Sequence, residues 1–181
     1  MLFEHGADVS AKDDEELTPL HHVAYAGLVA ILLLLLENGA EVSAKTSAGL
    51  APLHYAAMVD REAVVLILLD HGAEVSSKTN TGATPLSLAA LQGHETVARV
   101  LLHKGADLHS RSDDGRTAED VATAASHTQI AALLKAEAER REAVRRARCE
   151  AFAMGHQERL GAGSRVRWLD AGVVQMVLEQ V

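Results

Sequence analysis

Ten histidines, a single cysteine and a surplus of acidic over basic side chains are the groups of this 181-residue chain best suited to metal or acid–base chemistry. Their spacing builds no such site. A zinc-hydrolase helix needs two histidines one turn apart with a glutamate between them, and no His-Glu-x-x-His occurs. His21 and His22 are adjacent, so on a helix their rings diverge by about 100°. His71, His94 and His103 fall at expected helix ends or turns, where an imidazole ordinarily meets the terminal carbonyls. Cys149 has no second cysteine for a disulfide or a zinc pair, and no base is placed beside it. Ser112, Asp113, Asp114 and Asp120 cluster near a turn, but no serine stands in a Gly-x-Ser-x-Gly setting. The glycine-rich run Leu160-Gly161-Ala162-Gly163-Ser164 lacks the lysine and the preceding strand of a phosphate loop. The chain therefore reads as non-enzymatic, with no cofactor and no bound metal.

The elements that carry these residues recur. Thr18-Pro19-Leu20-His21, Ala51-Pro52-Leu53-His54, Thr84-Pro85-Leu86-Ser87 and Thr117-Ala118-Glu119-Asp120 begin 33 residues apart. Gly6-Ala7, Gly39-Ala40, Gly72-Ala73 and Gly105-Ala106 keep the same step, as do the apolar runs around Ile31, Val64, Val97 and Ile130. Each marker has a local reason. Thr18 and Thr84 are N-cap residues, and Pro19, Pro52 and Pro85 take the first helical position, where a missing N–H costs nothing. Alanines at 24, 56, 57, 89 and 90 let helices approach closely. Gly39, Gly72 and Gly105 end a second helix in the left-handed conformation, and Gly49, Gly82 and Gly115 serve the turn before the next unit.

This period and the Thr-Pro-Leu-His-x-Ala signature resemble the ankyrin-repeat family over residues 1–134. The resemblance implies an all-α solenoid of helix-turn-helix pairs joined by β-hairpin loops: a partial repeat at 1–12, repeats at 13–45, 46–78 and 79–111, and a degenerate capping repeat at 112–134. It also implies that the His21 and His54 imidazoles bond to backbone across the hairpins. Its function would be to hold a partner protein on a concave groove made of hairpin tips and first helices. The positions that match are Asp14, Glu15 and Leu17; Leu50; Asn80; Asp113, Asp114 and Arg116 at the tips, and Tyr25, Met58, Leu91 and Gln92 on the helices. They describe an apolar centre with an acidic rim at both ends. Leu33 and Leu66 occupy an outer position that is usually charged in the family, which makes a convex patch a competing surface.

Two ends depart from the pattern. Met1 falls inside what corresponds to a second helix, so either upstream sequence precedes it or Leu2 and Phe3 form a crude cap. From Lys135 to Val181 a helical, charge-rich extension follows, with Glu137–Arg141 and Glu142–Arg146 at the favourable spacing of four. It reads as a solvated helix; its arginines 140, 141, 145, 146 and 148 leave open a nucleic-acid or anionic-membrane contact, weakened by interleaved acids and absent aromatics. Gly155, Gly161 and Gly163 are expected to break it around Leu160–Ser164. The segment Leu169–Leu178 is a final amphipathic helix that either packs back on the preceding one or, through a weak resemblance to the opening of an F-box, recruits a ubiquitin ligase through residues 169–181.

Composition agrees. Hydrophobic residues make up 48% of the chain and aromatics only 3%, so the core is built of Ala, Leu and Val. Residues 1–134 carry 8 basic and 18 acidic side chains, a charge of −10, while 135–181 carry 9 and 7. An acidic body repels a phosphate backbone and disfavours nucleic acid. The longest apolar run, Val23 to Leu36, is shorter than the roughly 20 residues a membrane span needs. Lacking disulfides and a signal peptide, the chain reads as cytoplasmic or nuclear.

Overall fold

The structure, a computed structural model, describes residues 8–160, with side chains as far as Phe152. Eight helices follow one another: α1 (Pro19–Ala26), α2 (Val29–Glu37), α3 (Pro52–Met58), α4 (Glu62–Asp70), α5 (Pro85–Gln92), α6 (Glu95–His103), α7 (Ala118–Ala124) and α8 (Thr128–Leu160). No β-strand occurs among the described residues. The segments joining the pairs are turns closed by two backbone bonds each: Thr46 N–H to the Leu50 carbonyl at 3.0 Å with Gly49 N–H to the Thr46 carbonyl at 2.8 Å, and Thr79 N–H to the Ala83 carbonyl at 3.0 Å with Gly82 N–H to the Thr79 carbonyl at 3.0 Å. The chain divides into two compact units, residues 1–135 and 136–181.

In the first unit each helix pair packs on the next. First helices stack in the order α1, α3, α5, α7, and second helices in the order α2, α4, α6. The alanines explain how the first helices come so close: Ala24, Ala57 and Ala90 are fully buried at one recurring position, and Ala56, Ala89 and Ala122 at another. Leucines fill the layer between first and second helices, with Leu20, Leu53 and Leu86 on one side and Leu35, Leu68, Leu101 and Leu134 on the other. Each contributes about 1.5–3 kcal/mol through removal from water.

The caps differ from the expectation in one respect. Thr84 does cap α5, accepting from Ser87 N–H at 3.2 Å. Thr18 does not cap α1: its hydroxyl lies 2.9 Å from His21 Nδ1, and that same nitrogen accepts from Thr18 N–H at 3.0 Å. The histidine three residues into the helix accepts the N-cap N–H, while its own N–H bonds to the N-cap carbonyl, at 3.0 Å in α1 and 2.9 Å in α3. Ala51, with no hydroxyl, makes the same pair of bonds in α3, its N–H donating to His54 Nδ1 at 3.0 Å.

Within the second unit, Glu137 pairs with Arg140 at 2.7 Å and Arg141 at 2.8 Å, and Glu142 with Arg146 at 2.6 Å. The two guanidiniums hold the Glu137 carboxyl down at about 2, led by the Arg140 hydrogen bond. Of the three glycines expected to break the helix around Leu160–Ser164, Gly155 lies within α8. A lone glycine costs a helix only about 1 kcal/mol, and α8 runs on to Leu160 among good helix formers. Gly161, Gly163 and the Leu169–Leu178 segment, with its F-box resemblance, lie outside the described residues.

Candidate functional site

The face shared by the first helices and the turns between pairs is assembled by bonds that repeat from unit to unit. His21 and His54 tie each first helix to the backbone that follows. Because Nδ1 of each accepts from an N-cap N–H, the ring proton is on Nε2, and it donates to the Leu50 carbonyl at 3.1 Å and the Ser77 carbonyl at 3.0 Å, respectively. Burial pushes both rings toward the neutral form, His54 down to about 4. Ser87 and Asp120 at the corresponding positions reach only their own N-cap, through Thr84 N–H at 2.9 Å and Thr117 N–H at 2.9 Å. The sequence pattern anticipates the histidine bridges, and the structure places them.

The turn tips are linked in series. Ser47 N–H donates to the Glu15 carbonyl at 3.1 Å, Asn80 N–H to the Ala48 carbonyl at 3.0 Å, and Asp113 N–H to the Thr81 carbonyl at 3.0 Å. Asn80 adds its side-chain amide to the Ser47 carbonyl at 2.9 Å. Gly49 is required here twice over, by its φ of +77° and because a Cβ would come within 2.7 Å of Asn80 N.

A third series pins the groups that the repeat pattern singles out. Arg61 Nε donates to the Tyr25 carbonyl at 3.2 Å, His94 Nε2 to the Met58 carbonyl at 3.0 Å, and His127 Nε2 to the Leu91 carbonyl at 3.0 Å. Residues entering each second helix thus fix the backbone of the three central positions of the face. His94 and His127 therefore have structural roles. His94 was expected at a helix end or turn and His127 was not singled out; their partners, 36 residues back, were not legible.

Of the helix positions, Tyr25 is 52% exposed and Leu91 46%, Gln92 is exposed and Met58 is half-buried. At the tips Asp14, Glu15, Asn80, Asp113, Asp114 and Arg116 are exposed, whereas Leu17 and Leu50 are half-buried. Leu17 and Leu50 close their turns through backbone, Leu17 N–H also donating to Asp13 Oδ1 at 2.8 Å. Tyr55 belongs to the same face and was missed by the sequence reading. It makes edge-on contacts with Tyr25, ring centroids 6.4 Å apart, and with His21 at 5.7 Å. Burial first, then the charges of Glu15 and Asp13, push its phenol pKa upward. The available signal was its place in the recurring series His22, Tyr55, Leu88, Val121, one helical turn before Tyr25, Met58, Leu91 and Ala124.

The acidic rim is not symmetric. Asp114 is paired with Arg116 and bonded by the Ser112 hydroxyl, which holds its carboxyl at about 2. At the first turn Asp13 spends its Oδ1 on Glu15 and Leu17 N–H groups, at 3.0 and 2.8 Å, and Lys12 pairs with Glu16 at 3.4 Å. Asp14 and Glu15 make no side-chain hydrogen bond or ion pair among the described residues. The unpaired Glu15 carboxylate lies close enough to Tyr55 to act on its phenol, while Asp13, which also acts on it, has His22 Nε2 at 3.4 Å.

On the opposite side the expected convex patch changes identity. Leu33 and Leu66 are half-buried, and the exposed aliphatics are Leu28, which precedes α2, and Ile31 and Leu34 within it. Ile31 is 45% exposed where its counterparts Val64, Val97 and Ile130 are at most 2% exposed. Each of those counterparts lies in a unit with another helix pair on its N-terminal side; among the described residues α2 has none.

No group of three or more metal-binding side chains occurs among the described residues, and no described helix is long and apolar enough to cross a membrane. A family model described as ankyrin repeats (3 copies) matches residues 1–79 and 73–142. No curated protein matches the chain.

Proposed function

From the premise that this chain belongs to the ankyrin-repeat family, whose repeats generally serve as protein–protein interaction modules, we propose that it is a non-enzymatic binding module that holds a partner protein on the face formed by its first helices and turn tips. The observation that carries this reading is the series of carbonyl bonds from Arg61, His94 and His127, which hold Tyr25, Met58 and Leu91 in one line. A face fixed before binding loses little conformational entropy on association, so its side chains convert contact into affinity efficiently. Exposed aromatic and aliphatic groups ringed by polar tips match the usual distribution of binding energy, in which a few apolar anchors dominate.

The test is affinity capture of a partner followed by measurement with a Tyr25→Ala/Met58→Ala variant. Loss of an anchor commonly costs about 2 kcal/mol or more, some 30-fold in affinity, while exposed substitutions change stability by roughly 0.5 kcal/mol. The matching control is Ile31→Ser/Leu34→Ser, which alters exposed groups of α2. Abolition of binding by the control, with the Tyr25/Met58 variant unaffected, would transfer the function to the α2 surface.

A further inference from the structure

We infer that the N-terminal part of this face, built by Tyr25 and Tyr55 beside Asp14 and Glu15, is a docking site for a basic segment of the partner protein, taking an arginine or lysine side chain against the two tyrosine rings. The inference rests on the interaction function proposed above and specifies the chemistry of its ligand. Three independent features converge. The two rings meet edge-on at an interplanar angle of 81°, with Tyr25 half-exposed, so a ring face remains open to solvent. An aromatic face attracts a cation through its quadrupole, and guanidinium adds stacking. The first turn places carboxylates next to Tyr55, close enough that Glu15 and Asp13 act on its phenol. Finally, several other carboxylates of the turns already have partners: Arg116 neutralises Asp114, Lys12 neutralises Glu16, and His22 Nε2 lies 3.4 Å from Asp13 Oδ2. Arg61 is committed to the Tyr25 carbonyl at 3.2 Å. Asp14 and Glu15 are thus left to pair with charge from outside, while His21, locked neutral beneath Tyr55 by its two backbone bonds, contributes no competing charge.

An acidic peptide is the opposite prediction and serves as the contrast. The probe is a labelled seven-residue peptide alternating alanine and arginine, with its glutamate counterpart, titrated by fluorescence anisotropy against the full chain at low and physiological salt. The arginine peptide binds and the glutamate peptide does not. Tyr25→Ala/Tyr55→Ala weakens binding about three- to tenfold, as expected for loss of two partly exposed cation–π contacts. Asp14→Asn/Glu15→Gln weakens it to a similar extent and flattens the salt dependence, and Asp113→Asn/Asp114→Asn, which removes the same formal charge, leaves it unchanged. Thermal unfolding of each variant shows that the fold is retained; Tyr55→Phe, which keeps the ring, binds like the parent. Equal weakening by the 113/114 pair would show nonspecific attraction to an acidic body and overturn the inference, as would indifference to the tyrosine changes. If a captured partner requires Tyr25 and Met58 yet neither peptide binds, the interaction function stands and the basic-segment assignment fails.

Discussion

Two adjacent serines illustrate how little the identity of a residue says without its partners. Ser77 is buried, and its hydroxyl has no hydrogen-bond partner, although its carbonyl receives the His54 bond. Ser76, next to it, accepts from Asp107 N–H at 2.9 Å and so links two repeats. A buried hydroxyl without a partner costs about 1–3 kcal/mol of lost hydration, whereas a satisfied one contributes about 1 kcal/mol. Ser77→Ala is therefore expected to raise stability by about 1 kcal/mol, and Ser76→Ala to lower it by a similar amount. Ala44 already occupies the position one repeat earlier, buried and well tolerated. Urea unfolding of both variants checks the opposed signs; equal destabilisation would mean that the Ser77 hydroxyl is satisfied in solution. No sequence pattern separates these serines, because both lie in a polar connection and only the arrival of the next repeat decides which hydroxyl meets a donor.

The ends of the first helices show the same dependence on neighbours. Each leaves its last turn through a left-handed residue, Gly27, Asp60, Gly93 and Ser126 in succession, with φ of 79°, 58°, 82° and 64°. Glycine adopts this conformation freely, while aspartate carries a steric cost. Asp60→Gly should stabilise the protein by about 0.5–1 kcal/mol, net of the extra entropy of the unfolded chain. The one contact at risk is long, Asp60 Oδ2 lying 3.9 Å from His94 Nδ1. The reverse change at Gly93 should be costly, since its Cβ would approach the His127 ring to 2.7 Å and disturb the bond to Leu91. Chemical denaturation of Asp60→Gly and Gly93→Ala measures both; destabilisation of the first by as much as the second would refute the assignment. Helix positions and their proline starts were readable from the 33-residue step, because a periodic apolar pattern fixes which face is buried. That α8 runs through Gly155 was not: a glycine reads as a breaker, yet its cost is small against a long run of helix-forming neighbours.

The pH dependence of folding belongs to the molecule as a whole, because it sums groups in different repeats. His54 titrates at about 4 in the folded chain against 6.5 in the open one, and burial lowers the His21 value too. Between these pH values the unfolded chain binds more protons than the folded one, so stability falls as pH drops from about 6.5 to about 4. For His54 alone the separation corresponds to roughly 3 kcal/mol. The carboxylates behave otherwise: Asp114 and Glu137, both held near 2, lose their contribution only as pH falls from about 4 toward 2. Denaturation midpoints measured from pH 7.5 to 4.5 should therefore decline, and the slope should shrink in a His54→Gln variant; an unchanged slope would exclude His54 as its source. By itself the sequence determined the repeat, its register and the helix starts, because each follows from local backbone preference multiplied by a fixed period; the bridging histidines came with the family resemblance. It also located Tyr25, Met58 and Leu91 as one recurring position. Only the tertiary structure decided that Tyr55 joins Tyr25, that Asp114 is already paired while Asp14 and Glu15 are not, and that Ile31 is exposed where Val64 and Val97 are buried. Those outcomes depend on which side chain arrives from the neighbouring repeat, and distance between repeats is not written in the residues of any one of them.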